Sequence, residues 1–221
     1  MKINVVESVL KANDAVAAAN RRLLADRQLL AVNLMSAPGS GKTTLLEKTI
    51  PALGGEYPCG VLVGDLQTTR DAERLGPLAI ETTQINTVTG CHLSATQVAE
   101  ALAGFPLDDL AFLFIENVGN MVCPAQFDLG EHVKAVLLSV PEGDDKVGKY
   151  PTLFQQADVI LLTKTDLLDI LDYDLARVRE DLSRVNTRAP LLQTSSKTGQ
   201  GLDAWLDWLK EQRRARLNIR A

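Results

Sequence analysis

The chain contains 221 residues with a net charge of −5, and 46% of the residues are apolar and 23% charged. This composition is that of an ordinary globular protein, and its mild acidity argues against a general nucleic-acid binder. The apolar runs fall short of the ~18 residues that a membrane helix needs, and the N-terminal segment lacks the continuous apolar stretch of a signal peptide. Three cysteines, an odd number, do not suggest a disulfide framework. We therefore expect a reduced, cytoplasmic protein that neither crosses a membrane nor binds nucleic acid.

Apolar residues recur at helical spacing over residues 4–27, which predicts an amphipathic helix packed across the main domain. We assign residues 1–28 to this helix and residues 29–221 to the main domain. The main domain opens with the apolar run LLAVNLMS (29–36), a Pro-Gly-Ser-Gly turn and the helical pattern KTTLLEKTIPAL (42–53). Strand, glycine loop and helix in this order are the setting that a phosphate-binding loop requires.

Strand-like and helical patterns then alternate along the rest of the chain. The strand-like runs are nearly continuous apolar stretches, which are typical of parallel strands covered on both faces. This alternation predicts an α/β fold, a doubly wound, mostly parallel sheet with helices on both faces. The predicted strands are 59–65, 110–117, 133–140, 157–166 and 189–195, and the predicted helices are 94–103, 172–186 and 201–216.

The segment SAPGSGKTT (36–44) contains the core of a Walker A loop. Its glycines let backbone N–H groups turn toward phosphate oxygens, while Lys42 reaches the β- and γ-phosphates and the Thr43 hydroxyl binds Mg²⁺. Ser36 stands where the usual pattern has its first glycine. The predicted phosphate-binding residues are Gly39, Ser40, Gly41, Lys42, Thr43 and Thr44.

Two later segments indicate which nucleotide base the protein binds. LLTKTD (161–166) resembles the N-K-x-D guanine motif of GTPases, with Thr163 in place of Asn. The carboxylate of Asp166 can accept from guanine N1–H and the 2-amino group, a donor pair that adenine lacks. TSSKTGQG (194–201) resembles the loop that offers backbone N–H groups to guanine O6. These motifs favour GTP and GDP over adenine nucleotides, and the predicted base-binding residues are Lys164, Asp166, Ser195, Ser196 and Lys197.

Two acidic residues, Asp65 and Glu116, lie at the C-terminal ends of predicted strands, where ligands bind and active-site residues usually lie in α/β sheets. ENVG (116–119) resembles the D-x-x-G switch motif, so that Gly119 could offer its N–H to the γ-phosphate. Asp65 could hold Mg²⁺ through water or orient the attacking water, although a helix-capping role competes. No arginine is clearly placed as a finger, so we expect slow hydrolysis. The predicted catalytic residues are Lys42, Asp65, Glu116 and Gly119, and the predicted magnesium ligands are Thr43 and Asp65.

Cys91, His92 and Cys123 supply two thiolates and one imidazole, which suit Ni²⁺ or Zn²⁺. Cys123 follows Gly119 by four residues, so a metal there would respond to the γ-phosphate through a short segment. Three ligands leave a tetrahedral site open or shared with a second chain. The alternative is that these cysteines are ordinary small apolar residues. We assign Cys59 to that class and regard His132 as a polar residue entering a strand.

Taken together, these motifs resemble the HypB family, GTPases of the SIMIBI class that help to load nickel into [NiFe]-hydrogenase. The resemblance spans nearly all of residues 4–210. The segments that carry it, in family order, are NLMSAPGSGKTTLLE, VGDLQTTRDAER, QINTVTGCHLSA, ENVGNMVCPAQFDLGE, EGDDKVGKYPTLFQQADVILLTKTDLL and SSKTGQGLDAW.

The resemblance implies a P-loop fold, GTP-dependent dimerisation, slow GTP hydrolysis and a nickel or zinc site at Cys91, His92 and Cys123. It also implies two partners, a HypA-type nickel chaperone and the hydrogenase large-subunit precursor. The loop EGDDKVGKYP (142–151) is expected near the nucleotide and the dimer contact. Many members carry an N-terminal Cys-rich motif or His-rich stretch that this sequence lacks, so we expect metal handling to fall on the main-domain site.

Two other functions stay open from the sequence. One is a GTPase switch or chaperone for another metalloenzyme, in which zinc is merely structural. The other is a P-loop kinase for a small molecule, which would need a substrate pocket and a basic lid. GTP turnover without an added acceptor would separate a GTPase from such a kinase.

Overall fold

The computed structural model describes residues 5–65, 69–87 and 90–219. Residues 1–4 of the predicted N-terminal helix and residues 220–221 of the predicted main domain lie outside the described residues. So do residues 66–68 of the VGDLQTTRDAER segment and residues 88–89 of the QINTVTGCHLSA segment. Within the described ranges, seven strands form one parallel sheet in the order β3-β2-β4-β1-β5-β6-β7. Helices cover both of its faces, which confirms the doubly wound α/β prediction.

The strands and helices follow the predicted pattern along the chain. The strands are β1 Leu30–Met35, β2 Cys59–Asp65, β3 Glu81–Asn86, β4 Phe112–Glu116, β5 Val133–Ser139, β6 Val159–Thr163 and β7 Leu191–Gln193. The helices are α1 Val5–Asp26, α2 Lys42–Leu53, α3 Arg70–Leu75, α4 Ala95–Leu102, α5 Lys146–Lys149, α6 Pro151–Gln155, α7 Leu175–Val185 and α8 Leu202–Leu217.

Four elements, β3, α3, α5 and α6, were not predicted from the sequence. Strand β3 lies at the edge of the sheet, and most of its residues (ETTQIN) are only partly buried, so it lacks the apolar run of a central strand. Helix α3 is short and highly charged (RDAERL). The segment 142–151 was expected to be a loop, but it contains α5.

Local signals explain several helix boundaries. Ser94 caps α4 through a capping box, in which its hydroxyl accepts from the Gln97 N–H and the Gln97 side chain accepts in return from the Ser94 N–H. Asp174 caps α7 by accepting from the Arg177 N–H at 2.9 Å. Helix α8 ends at Asn218, which adopts a left-handed backbone conformation (φ 52°).

Alternation along β1 divides the core between the two faces of the sheet. Leu30, Val32 and Leu34 join one apolar cluster with α2 and α8, in which the buried Trp205 donates to the Thr49 hydroxyl at 3.0 Å. Ala31 belongs to a second cluster with α1 and α4 on the other face. A third cluster gathers Met35 with side chains of β5, β6 and α7. The parallel arrangement brings the carboxyl ends of the strands to one edge, where the P-loop follows β1.

Helix α1 lies against α4 and the segment before β5. Asn20 donates to the carbonyl oxygens of Ala95 and Leu129 at 2.9 and 3.0 Å, and Arg21 pairs with Asp128 at 2.6 Å. These polar contacts hold the helix against α4 and the segment before β5. Among the described residues, no helix combines the length and the apolar character needed to span a bilayer.

Candidate functional site

The P-loop adopts a backbone conformation that its glycines make possible. Gly39 and Gly41 have φ of 76° and 95°, in the left-handed region that other residues rarely adopt. A Cβ at either position would meet no atom within 4 Å, so backbone conformation rather than packing requires glycine there. The loop leads directly into the N-terminus of α2, where free N–H groups and the helix dipole favour an anion.

Lys42 lies buried at the base of this loop, with only 7% of its surface exposed. Its Nζ donates to the Ser36 hydroxyl at 3.1 Å, so the residue that replaces the first Walker glycine holds the lysine in place. Burial lowers the pKa of Lys42, while nearby carboxylates, chiefly Glu116, oppose that effect. A buried ammonium with a neutral partner is well prepared to receive a phosphate oxygen.

Thr43 and Glu116 form a buried pair beside the lysine. The Thr43 hydroxyl donates to Glu116 Oε1 at 2.7 Å, and burial raises the pKa of Glu116 to about 7. Glu116 Oε2 is buried and has no hydrogen-bond partner among the described residues. A hydroxyl, an unpaired carboxylate oxygen and the nearby Asp65 are the oxygen ligands that Mg²⁺ prefers, so this arrangement fits magnesium.

These residues line a cavity of about 450 Å³ that is open to solvent. Gly119 forms one wall, and a Cβ on it would lie 2.9 Å from Pro38 Cα, closer than real contacts allow. The segment after β4 therefore packs directly on the P-loop. The cavity thus brings together all four predicted catalytic residues, Lys42, Asp65, Glu116 and Gly119.

A second cavity of about 320 Å³ adjoins the first, and Gly41, Thr44 and Lys164 line both. It has the position expected for the base. The Ser195 hydroxyl donates to Asp166 Oδ1 at 2.6 Å, which orients that carboxylate. The predicted base-binding residues that line this cavity are Lys164, Asp166, Ser196 and Lys197.

Thr163 has a contact that the sequence did not reveal. Its hydroxyl donates to the Ser40 carbonyl oxygen at 2.7 Å, and Lys164 Nζ donates to the Gly39 carbonyl oxygen at 2.7 Å. Both bonds tie the segment 163–166, which we call the base loop, to the P-loop. The hydroxyl of Thr163, which stands where the N-K-x-D motif has asparagine, therefore braces this segment against the P-loop.

Glu142 and Arg74 also escaped sequence reasoning. The hydroxyls of Ser139 and Ser40 both donate to Glu142 Oε1, which places Glu142, the first residue of the 142–151 segment, against the P-loop. Arg74 of α3 lines the larger cavity, where it donates to the Thr44 hydroxyl at 3.1 Å and pairs with Glu47 at 2.7 Å. Because α3 is short and highly charged, its sequence did not indicate that Arg74 would line this cavity.

Cys123 joins the adjacent pair Cys91 and His92 although it lies far from them in sequence, with one candidate ligand atom of each residue within 4.8 Å of the others. Cys91 Sγ lies 3.6 Å from His92 Nδ1. The neighbouring Cys123 thiol raises the pKa of Cys91. His92 stacks on Phe127 with ring centroids 3.8 Å apart, and burial lowers its pKa, which favours the neutral imidazole that binds metal.

The three partly exposed groups fit a soft divalent ion at an open site. Cys59 is buried away from them, and burial raises the pKa of its thiol to about 12. His132 also lies elsewhere, at the start of β5, where its Nδ1 accepts from the Ala31 N–H at 3.0 Å. Both residues have the structural positions that the sequence indicated.

The fold and these cavities define a P-loop nucleoside triphosphatase with a Cys/His group beside its nucleotide-facing segment. A family model described as the CobW/HypB/UreG nucleotide-binding domain matches residues 30–193. The chain belongs to this family and, within it, to the HypB group, as its curated relatives show.

One such relative is the hydrogenase maturation factor HypB of Escherichia coli K12, 46% identical over 211 residues that cover 96% of this chain and 73% of the relative. Another is the hydrogenase/urease maturation factor HypB of Helicobacter hepaticus, 42% identical with coverage of 96% and 88%. A solved structure of HypB from Helicobacter pylori in complex with nickel superposes with a TM-score of 0.88 at 40% identity, covering 93% of this chain and 97% of that one.

More distant structures share the fold alone. FtsY from Mycoplasma mycoides matches with a TM-score of 0.56 at 14% identity, covering 88% of this chain and 72% of that one.

Proposed function

We propose that the protein is a GTP-hydrolysing metallochaperone that helps to insert nickel into the large subunit of [NiFe]-hydrogenase. One observation carries the proposal: Cys91, His92 and Cys123 converge within 4.8 Å, and Cys123 follows the cavity-lining residues 116–119 by four positions. The names of the relatives support a hydrogenase as client, and the nickel in the Helicobacter pylori structure supports nickel as cargo. All three thiols are free, which suits a reducing cytoplasm.

Guanine is the proposed base. Asp166 lines the smaller cavity with its carboxylate oriented by Ser195, and a carboxylate there accepts the two donors that guanine presents. Lys42, with the Gly39–Gly41 backbone, would hold the β- and γ-phosphates, and Thr43, Glu116 and Asp65 would hold Mg²⁺. Magnesium would neutralise phosphate charge, and Asp65 or Glu116 would orient the attacking water. Arg74 is paired with Glu47, so we propose slow intrinsic turnover.

GTP would favour a homodimer. Ile170 and Leu171 follow the base loop and are 73% and 40% exposed, an apolar surface beside the nucleotide that suits a second copy. We expect mass measurements in solution to show dimers with a GTP analogue, and Ile170→Ser to weaken them. Ile80→Ser, which replaces another exposed isoleucine, serves as the matched control. Equal masses with GDP and with the analogue would contradict the proposal.

Nickel handling would couple to the nucleotide because Cys123 lies four residues after Gly119. The test is titration of the purified protein with Ni²⁺ and Zn²⁺, with GDP and with a non-hydrolysable GTP analogue, on the wild type and on Cys123→Ala. Cys59→Ala is the control, since it removes a buried thiol remote from the group. We expect nucleotide-dependent Ni²⁺ binding that Cys123→Ala abolishes and Cys59→Ala retains. Metal binding insensitive to nucleotide and to Cys123 would refute the coupling.

The proposed partners are a HypA-type nickel chaperone as donor and the hydrogenase large-subunit precursor as acceptor. A transfer assay with nickel-loaded protein, GTP and the precursor tests the second of these. GTP turnover without any added acceptor separates the GTPase from a small-molecule kinase.

A second client is favoured by one comparison. The Helicobacter hepaticus relative carries a name that includes urease as well as hydrogenase. A GTPase that serves another metalloenzyme, with zinc only structural at the Cys/His group, would transfer no nickel to the hydrogenase precursor. The same transfer assay therefore distinguishes the two candidates.

A further inference from the structure

Three buried polar side chains lie between the apolar clusters on one face of the sheet. Asn33, Asn117 and Glu131 are exposed by 0%, 1% and 3%. Asn33 occupies the middle of the central strand β1, where alternation places it on the same face as Ala31 and Met35. Burying such groups is costly unless they are hydrogen-bonded, so each requires a partner.

The three side chains bond to one another in series. Asn117 Nδ2 donates to Asn33 Oδ1 at 3.2 Å, and Asn33 Nδ2 donates to Glu131 Oε1 at 3.3 Å. Glu131 Oε2 in turn accepts from the Leu129 N–H at 2.7 Å. We call Asn117, Asn33 and Glu131 the buried relay.

Each end of the buried relay bonds to a backbone N–H group near the surroundings of His92. At one end, Asn117 Oδ1 accepts from the N–H of Leu93, the residue after His92, at 3.4 Å. At the other end, Glu131 holds the backbone of Leu129, two residues after Phe127, whose ring stacks on His92. A single hydrogen-bonded series therefore connects the backbone that follows His92 to the segment that carries its stacking partner Phe127.

The same asparagine also belongs to the nucleotide cavity. Asn117 follows Glu116, whose carboxylate accepts the Thr43 hydroxyl, and its Oδ1 also accepts from the Val118 N–H at 2.9 Å. The next residue, Gly119, packs on Pro38 of the P-loop. A displacement of residues 116–119 would therefore move the acceptor that holds Leu93.

We propose that Asn117 is a positioning residue that transmits the nucleotide state to His92 and Cys91 through the buried relay. This inference rests on the proposed function and adds a route distinct from the chain segment that leads to Cys123. One route ends at Leu93, beside His92, and the other ends at Cys123, so a displacement of residues 116–119 would change the positions of both parts of the Cys/His group. By thermodynamic linkage, Ni²⁺ bound to the group would change nucleotide affinity by the same factor.

The test measures Ni²⁺ affinity with GDP and with a non-hydrolysable GTP analogue in the full chain. Asn117→Ala breaks the relay beside the nucleotide. Glu131→Gln breaks it at the other end without touching either site: one carboxylate oxygen becomes an amide nitrogen that cannot accept, so either the Leu129 N–H or the Asn33 amide loses its acceptor. Asn186→Ala is the matched control: its buried amide donates to Phe154 and Ala157 carbonyl oxygens far from the relay. GDP affinity and thermal unfolding establish that each variant is folded.

We expect the two affinities to differ at least about fivefold in the wild type and in Asn186→Ala, a typical allosteric coupling, and by less than about twofold in both relay variants. The nickel–thiolate absorption band should respond to the nucleotide only in the wild type and in Asn186→Ala.

Folded relay variants that keep the wild-type ratio of the two affinities would overturn the inference and leave the proposed function intact. Loss of the ratio in Asn186→Ala as well would overturn the specificity of the relay. Equal Ni²⁺ affinities of the wild type with GDP and with the GTP analogue would overturn the proposed coupling itself, and the inference with it. If Asn117→Ala does not fold, Glu131→Gln decides the question.

Discussion

The hydroxyl of Thr163 donates a 2.7 Å hydrogen bond to the backbone carbonyl oxygen of Ser40, and this bond joins the end of β6 to the P-loop. Both residues are buried. Both residues line the smaller cavity, and Ser40 belongs to the P-loop, so this contact holds the end of β6 against that loop. Thr163, which stands where the guanine motif has asparagine, thus has a structural partner of its own.

Thr163→Val should weaken GDP binding, because the isosteric methyl leaves the Ser40 carbonyl without its donor. The cost is about 1–2 kcal/mol, roughly a five- to thirtyfold rise in Kd. Thr163→Ser keeps the hydroxyl and should bind nearly as the wild type does. Isothermal titration measures both variants, and equal affinity of Thr163→Val and wild type would contradict the brace.

Asp166→Asn should change the preferred base. An amide offers a donor in place of one carboxylate acceptor, so it clashes with the guanine 2-amino group and suits the 2-oxo group of xanthine. We expect the affinity for GTP to fall by roughly 10²-fold or more and XTP to become the better ligand. Competition with a fluorescent nucleotide measures the preference. Asp169→Asn, at an exposed aspartate three residues later, should leave the GTP preference unchanged.

Gly119→Ala should disturb the contact between the segment 116–119, at the end of β4, and the P-loop. The new Cβ would lie 2.9 Å from Pro38 Cα, and relief of such an overlap costs about 1–3 kcal/mol. We expect weaker nucleotide binding and slower GTP hydrolysis, read from phosphate release. Gly104→Ala meets no atom within 4 Å and is the control. Equal effects of the two substitutions would argue against a specific contact.

The three cysteines should differ in reactivity. Cys59 is 3% exposed and burial raises the pKa of its thiol to about 12, so iodoacetamide near neutral pH should spare it in the folded protein. Cys91 and Cys123 are partly exposed and should be alkylated, and Ni²⁺ should slow that reaction. Peptide mass spectrometry identifies the sites, with urea-unfolded protein as the reference. Alkylation of Cys91 and Cys123 at unchanged rates with Ni²⁺ would speak against the metal site.

His132 should make the protein sensitive to mild acid. Burial, aided by Arg21 and Arg216, lowers its pKa to about 4 in the folded state, against about 6.5 in an unfolded chain. Between these values the unfolded chain binds more protons, so stability falls as the pH drops from about 6.5 toward 4. Protonation would also remove the acceptor of the Ala31 N–H.

His132→Gln keeps an acceptor but does not titrate, so its unfolding midpoint should vary less with pH over the same range. Urea unfolding of the wild type and the variant at several pH values isolates this histidine from the carboxylates that both proteins share. Parallel pH profiles of the two proteins would contradict the prediction.

Most of the sheet and the nucleotide loop could be predicted from residue patterns alone. Strands β1, β2, β4, β5 and β6 are buried apolar runs, and each predicted strand or helix lies within three residues of the observed one. The edge strand β3 and the helix α3 were missed because neither carries an apolar pattern of its own. Their conformation depends on neighbours, β2 for the strand and α2 for the helix.

The sequence by itself determined the P-loop, because its glycines are required by local backbone conformation, and the positions of Asp65 and Glu116, because parallel strands end at one edge. Only the tertiary structure decided which distant groups meet. The approach of Cys123 to Cys91, the bond from Thr163 to Ser40 and the buried relay through Asn33 all join segments far apart in the chain. Periodicity reports which face a residue occupies, whereas such contacts depend on strand order and on loop paths that no local pattern encodes.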